Sequence, residues 1–378
     1  MANVLTNLAA DIYKAADIVG RELTGITSSV TINAGSEMAA LNDVVRSSFT
    51  RPAVVTSITP SMTIPEGTDQ TVDNKTLSLN QTASVKIPWT GEDIKHVNNG
   101  AGFETIYGDQ IKQAMRAIAN QIESALWVEG YKNASRAYGT AGTTPFASNF
   151  NEIPQLRKIL ADNGMPFDGN VTLAVDTTAA ANLRSLAQLT KVNEAGGSEL
   201  VRQGTLLPLQ GFYLKESAAI APIAVGSGTG YLVNGALAVG TTAAVVGTGS
   251  GTILQGDIIT VAGDANKYVI GGALSGTALT LGNPGLRKIA ANSAAITVGG
   301  AYTPNLAFHK AALELAMRPF AAPPGGDLAV DQMVIQDPWS GLVFVIRAYK
   351  GYLKAMFDVQ CVYGVKAWKG EFIATLAG

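Results

Sequence analysis

The stretch FETIYGDQIKQAMRAIANQIESALWVEGYK, residues 103–132, carries the longest helical pattern in the chain. Ile106, Ile111, Met115, Ile118, Ile122, Leu126 and Val128 trace one stripe, flanked by Asp109, Lys112, Arg116, Glu123 and Lys132. That spacing predicts an amphipathic helix. At about 1.5 Å per residue it spans roughly 40 Å, longer than an average globular helix. It reads as a backbone strut, with an ordinary core helix as the alternative.

Upstream, the period changes from helical to two. VVTSITPSMTI (54–64) alternates, and so does TLSLNQTASVKIPW (76–89), through Leu77, Leu79, Val85, Ile87 and Trp89. The turn-rich, acidic PEGTDQTVDNK (65–75) lies between them. The pattern predicts one long two-stranded hairpin. A lone hairpin is marginal in water, so it needs a sheet, a helix or another subunit to cover it. Further upstream, residues 4–23 read as an amphipathic helix with Leu5, Leu8, Ile12 and Val19 on its apolar side. The Ser/Thr/Gly-rich Thr24–Gly35 reads as an arm.

Downstream, residues 151–215 alternate helix and strand. Asn151 is placed as the cap of a helix that stops at Gly164; VTLAV (171–175) is a buried strand, and Asp176 caps the helix containing Leu183, Leu186 and Leu189. Residues 218–303 carry only five charges, Asp257, Asp264, Lys267, Arg287 and Lys288, among short apolar runs separated by Gly. They predict an inserted all-β barrel or sandwich. PNLAFHKAALELAMRP (304–319) reads as a helix of about three turns, and PFAAPPGGD as a rigid loop. QMVIQ, GLVFVIRAY and LKAMFDVQCVYG are three returning strands, the first two joined by DPWSG.

Composition narrows the function. With 47% hydrophobic and only 15% charged residues among 378, the chain can bury a large core, and disorder is excluded as its main state. A net charge of −2 leaves no surplus of Lys and Arg for a basic nucleic-acid binder. One cysteine, Cys361, excludes a disulfide scaffold, and two distant histidines, His96 and His309, argue against a His-rich metal site. The sequence predicts no export signal and no membrane span, hence a cytosol-like compartment.

Motifs for chemistry are weak. GSGTG (226–230) and GTGSG (247–251) lack the Lys-Ser/Thr pair and the helix that a phosphate cradle needs, and read as turns. His309 reads as a packed helix residue, Cys361 as a buried thiol, and Glu92 with Asp93 as a cap after the hairpin. The reading is therefore not an enzyme, with no catalytic residue, cofactor or metal. Three features instead ask for partner chains: the leading helix on its arm, the hairpin and the strut. Symmetric association satisfies all three at once.

This order of parts resembles the major capsid (coat) proteins of tailed double-stranded DNA phages, which have the Hong Kong 97 fold, and among them the Salmonella phage P-twenty-two type. The resemblance is carried by TLSLNQTASVKIPWTGEDI (76–94), GDIITVAGDANKYVI (256–270), PNLAFHKAALELAMRP (304–319) and GLVFVIRAYKGYLKAMFDVQCVYGVKAW (341–368). It implies an α+β, Hong Kong 97-like fold with an N-arm (1–34), an E-loop and flanks (35–100) and the spine helix of a peripheral domain (101–149). An axial domain (150–217, continued at 304–330), an inserted β domain (218–303) and returning strands (331–378) would complete it. Further implied are self-assembly as pentamers and hexamers into an icosahedral virion shell, assembly in the host cytoplasm, a scaffolding protein and a portal as partners, and packaged DNA held without sequence-specific binding. Leu5, Leu8, Ile12, Arg51, Glu66, Asp69, Asp73 and Lys75 are the candidate intersubunit contacts. The alternatives are the shell of a bacterial nanocompartment, against which residues 218–303 weigh, and a β-rich surface or carbohydrate-binding protein, which would need export.

Overall fold

The long helical period is realised as a helix that ties two sheets together. The computed structural model describes residues 23–35, 37–50, 55, 57–64, 72–98, 103–190, 206, 208–323, 325–336 and 341–378. In chain order, β1 (Thr31–Ala34) precedes β2 (Val44–Thr50), β3 (Val72–Ser78), β4 (Gln81–Thr90), α1 (Gly91–Asn98) and the strut α2 (Phe103–Lys132). Next come β5 (Arg136–Gly139), α3 (Glu152–Asp162), β6 (Val171–Val175), α4 (Thr177–Ser185) and β7 (Tyr213–Glu216). Six short strands follow: β8 (Tyr231–Val233), β9 (Ala243–Gly247), β10 (Ile258–Val261), β11 (Lys267–Ser275), β12 (Ala278–Leu281) and β13 (Ala295–Val298). The remainder is β14 (Pro304–His309), β15 (Leu313–Arg318), β16 (Ala329–Gln336), β17 (Val343–Gly351), β18 (Lys354–Ala367) and β19 (Ile373–Ala377).

Strand β18 organises the first sheet. Along one edge, Lys354–Tyr363 pair with β4; along the other, β17 and then β15 lie end to end. β16 extends the sheet beyond β17, and β1 adds in parallel to β15. The strut contacts β18, β4 and β15 of this sheet and β14, β11 and β19 of the second, and its Ile111, Met115, Ile118, Leu126 and Trp127 lie in one shared core. Polar anchors fix both ends: Trp89 Nε1 donates to Gln110 Oε1 (2.9 Å) and Trp127 Nε1 donates to the Pro304 carbonyl (3.0 Å). Such bonds satisfy the indole N–H where the ring is buried.

The hairpin differs from its prediction. The first strand of the ribbon is 44–50, not 54–64, and it pairs with β3 in the register Val44↔Ser78 to Thr50↔Val72. TLSLNQTASVKIPW divides at Leu79–Asn80, and its second half, β4, joins the β18 sheet. Alternation alone could not distinguish a ribbon strand from a sheet strand, because both have period two. The described residues of 54–64 form no strand.

The helix predicted over 304–319 is also overturned. These residues form β14, a single turn at Lys310–Ala312, and β15. β14 runs between β19 and β6, with Leu306, Ala307 and Phe308 fully buried. A strand covered on both faces reads as a continuous apolar run, and periodicity does not separate it from a buried helix. His309 is accordingly a strand-end residue whose Nδ1 accepts from Ala311 N–H (3.1 Å).

The 150–190 region follows its pattern more closely. Asp176 caps α4, its Oδ2 accepting from Thr178 N–H (3.0 Å) and Ala179 N–H (3.4 Å), which satisfies two first-turn donors. Asn151, by contrast, has helical angles (φ −62°, ψ −17°) and no capping bond, so it is not the cap assigned to it. Helix α3 ends before Gly164, which adopts φ +79°. Glu92 and Asp93 open α1, where Thr90 and Asp93 bond reciprocally as a capping pair.

Strands β8 to β13 close into a six-stranded antiparallel barrel in the order β10-β13-β8-β9-β12-β11, with β11 returning to β10. Its interior is packed with Val246, Ile259, Ile270, Leu279 and Ile296. β5 pairs with β11 on one side and with β19 on the other, so the barrel is hydrogen-bonded to the main sheet. The two glycine-rich loops cross one another, Thr229 and Ser250 exchanging backbone bonds of 2.9 and 3.0 Å. A Cβ at Gly226 would lie 2.2 Å from the Thr252 carbonyl oxygen. The glycines permit this close backbone approach and form turns.

Beneath those loops Asp257, 1% exposed, accepts from Leu254 N–H (2.7 Å) and Gly226 N–H. Burial raises its pKa, opposed by these two bonds. The folded-state value lies above that of the unfolded chain, so this group's contribution to stability is present in acid and is lost as pH rises through the raised value. Asp257→Asn removes that dependence. The stability difference between the variant and the natural chain is expected to change as pH rises above the ordinary Asp value of about 4; a difference that stays flat in urea titrations as pH rises from there would sink this assignment.

Candidate assembly surfaces

The base of the β2–β3 ribbon is fastened to the body. Leu77 and Leu79, each 1% exposed, pack with Ala316 and Val362. Leu79 N–H donates to the Asp43 carbonyl (2.9 Å) and Asn42 N–H to the Leu79 carbonyl (2.8 Å). Lys75, a candidate intersubunit residue, turns inward: its Nζ donates to the Trp368 carbonyl (3.0 Å) and lies 5.5 Å above the Trp368 ring. Burial lowers its pKa, and Glu371 opposes the shift. Asp73 sits in β3 opposite Phe49. Leu5, Leu8, Ile12, Arg51, Glu66 and Asp69 lie outside the described residues.

Beyond the ribbon, Val55, Ile58, Met62 and Ile64 are 95–105% exposed. Single exposed apolar residues are ordinary, but four within ten positions, all free of the body, form a surface that water solvates poorly. A second apolar surface lies on the first sheet. Leu328, Val330 and Val334 project along β16 and its approach, with the exposed Gln332 between the two valines, and Tyr352 and Leu353 cap the β17–β18 turn at 92% and 74% exposure. β16 is an edge strand of that sheet among the described residues. Sequence reading did not single out these five residues; the alternation through Leu328, Val330 and Val334 was the available signal.

The loop before β16 is held by charge. Arg347, 4% exposed, donates to the Phe320 carbonyl (2.8 Å) and pairs with Asp327 (3.3 Å), which also accepts from Tyr349 OH (2.8 Å). The Ala329 backbone bond, followed by the Tyr349 bond, lowers the Asp327 pKa. The second apolar surface is thus presented from a fixed frame.

The segment read as an arm behaves differently from its prediction. Residues 24–34 lie on this chain's own body: Thr24 bridges to Ser217, and β1 pairs with β15. The cause is Glu123, which the helical stripe placed on the polar flank and which is 1% exposed. Its carboxylate accepts from Ile26 N–H (2.8 Å), Thr27 N–H (2.7 Å) and Ser217 Oγ (2.7 Å), and from the Thr27 hydroxyl. Residues 1–22, which include the predicted leading helix, lie outside the described set.

Among the described residues, no group of three or more His, Cys, Asp and Glu side chains could hold a metal ion, and no helix is long and apolar enough to cross a membrane. Cys361 is buried within β18, and desolvation pushes its thiol up to about 12.

No family model and no curated relative matches the chain. Solved structures are similar to it over most of its length. The capsid of the cyanophage P-SCSP1u is 11% identical with a TM-score of 0.49, covering 93% of this chain and 86% of that one. A structure from Mycobacterium phage Che8 is 14% identical (TM-score 0.46; 89% and 84% covered). A virus-like particle from Pyrococcus furiosus is 9% identical (TM-score 0.44; 97% and 98% covered). Phage capsids recur among the structures that this chain is similar to.

Proposed function

We propose that this chain is the major capsid protein of a tailed phage, a structural protein that assembles as pentamers and hexamers into an icosahedral shell around double-stranded DNA. The observation that carries this reading is the set of nearly fully exposed apolar side chains, Val55, Ile58, Met62 and Ile64, beyond a ribbon whose base is packed on the body. Full burial of one such side chain is worth about 1.5–3 kcal/mol. Repeated on every subunit of a closed shell, that gain exceeds the cost of association, and the isolated subunit gives no cover for it.

In this reading the hairpin is the E-loop and α2 the spine helix, the barrel over 231–298 is the inserted β domain, and residues 1–22 extend the N-arm from the point where Glu123 fixes it. A scaffolding protein, a portal and the DNA backbone are the further partners, and assembly takes place in the host cytoplasm. The net charge of −2 suits a shell that must release its polymer.

Two experiments test the proposal. The double variant Ile58→Asp, Met62→Asp should stay folded, since exposed substitutions usually change stability by within about 0.5 kcal/mol, yet yield subunits in place of particles in electron micrographs of the expressed protein. Full particle yield from this variant would refute the docking role. Arg51, Glu66 and Asp69 are proposed to pair with charges on neighbouring subunits, each exposed pair contributing about 0–1 kcal/mol. Reversal of both acids, Glu66→Lys with Asp69→Lys, is expected to lower particle yield more at low than at high salt; a yield independent of salt and equal to that of the natural chain contradicts the pairing. Particles that enclose an enzyme in place of DNA when made with the neighbouring genes would favour the nanocompartment.

A further inference from the structure

Between β5, the first turns of α3 and the loop that leads into β11 lies a cleft of about 530 Å³. This is within the range of small-molecule sites, about 300–1,000 Å³. Arg136, Lys158 and Lys267 line it together with Glu152. Arg136 is 2% exposed. Its guanidinium donates to the Ile159 carbonyl (3.0 Å), Asn163 Oδ1 (3.1 Å) and Asn266 Oδ1 (3.2 Å), while its Nε–H has no partner. Glu152 Oε2 is likewise buried without a partner. Both residues line the cleft, and a buried donor and a buried acceptor without partners are uncommon in native proteins, where such groups usually meet a water or a ligand.

The charges set the class of ligand. Three cations and one carboxylate, Glu152, line the cleft; Asp162, behind the lining, pairs with Arg136 (3.5 Å) and Lys158 (3.4 Å), and positive charge is still in surplus. We propose that this cleft binds a small acidic ligand that also carries a hydrogen-bond donor, with its carboxylate toward Arg136 and Lys158 and its donor toward Glu152. An acidic amino acid, with two carboxylates and one ammonium, is the simplest molecule of that kind. Arg136 joins α3 to the barrel loop through Asn266, which in turn bonds to Asp264 (2.7 Å). A ligand seated there braces the barrel against the main sheet.

The proposal is independent of the shell reading, because the cleft is apart from the hairpin and from β16. The test is calorimetric titration of the purified full chain with L-glutamate and with glutarate, the same dicarboxylate without the ammonium. L-glutamate is expected to bind saturably and to raise the thermal midpoint, and glutarate to bind at least about tenfold more weakly, since a site built for a donor rejects the analogue without it. Lys158, whose side chain is 64% exposed, can be reversed without disturbing the fold, and Lys158→Glu should weaken glutamate binding by about tenfold or more. Absence of saturable glutamate binding, equal or tighter binding of glutarate, or unchanged binding by Lys158→Glu would each overturn the proposal.

Discussion

Replacing Glu123 with alanine is expected to lower the stability of the subunit by about 3–5 kcal/mol, the usual range when one partner of a buried charged cluster is removed. Four donors from two segments of the chain converge on this carboxylate: the Ile26 and Thr27 amides, the Thr27 hydroxyl and the Ser217 hydroxyl. Alanine leaves all four without an acceptor, and each buried unsatisfied donor costs about 1–3 kcal/mol before the structure relaxes. Relaxation here means loosening. Residues 24–30 are otherwise held by Ile26 and Val30, which are buried in the core, and by the Thr24–Ser217 bridge, so loosening there also exposes the strut around Ile122. Glu123→Gln keeps the volume but turns one acceptor into a donor that faces the backbone amides, for an expected loss of about 2 kcal/mol. Urea denaturation gives the magnitudes, and amide exchange over Gly25–Val30 gives the location. Protection there that survives in Glu123→Ala would show that the carboxylate is not what holds the segment.

Gly364→Ala is expected to have an effect of similar size at the ribbon. A Cβ at this position would lie 2.2 Å from the Ser78 carbonyl oxygen and 2.8 Å from Leu77 Cδ2. The carbonyl cannot retreat easily, because the next residue, Leu79, is bonded through both its N–H and its carbonyl to the 42–43 turn. Forcing atoms into so tight a contact typically costs about 1–3 kcal/mol or more, and the strain falls on the junction that sets the direction of the ribbon. Gly351, where the nearest atom to a new Cβ is 3.8 Å away, is the control: Gly351→Ala should stay within about 0.5 kcal/mol of the natural chain. If the protein has the proposed shell function, Gly364→Ala should also reduce particle yield below what its stability alone explains. Equal melting temperatures for the two alanine variants would refute the account of the junction.

The strut and the α3 and α4 helices carry an apolar stripe that states the element type. The buried runs of β6 and β17 were legible as strands because they are short and rich in β-branched residues. Buried runs rich in Leu and Ala were harder. β14 is buried throughout, so Leu306, Phe308 and the alanines after them fit a helix as well as a strand. β19 went unassigned, because IATLA has neither a period nor a turn residue to mark it. The ribbon was misplaced because pairing is a property of two segments, and Val44–Thr50 carries no signal that names β3 as its partner. For the surfaces, the sequence VVTSITPSMTI alternates, but its described side chains face solvent and its described residues belong to no strand. The Glu123 cluster was not legible at all: a glutamate on a helix flank looks the same whether it meets water or a ring of backbone amides.

The position of β19 between β5 and β14 governs how this molecule comes into being. Those five residues, Ile373–Ala377, fill the middle of the larger sheet, and β18 likewise fills the middle of the smaller one. A ribosome that has reached residue 340 has made the β2–β3 ribbon and the strands of the barrel, but it has left both large sheets with open seams. Pairings of such long sequence separation close slowly, and the open seams invite the wrong neighbours in the meantime. Maturation of each copy is thereby postponed until translation has passed residue 377, which makes the nascent chain a natural client for chaperones and keeps half-made copies out of any assembly.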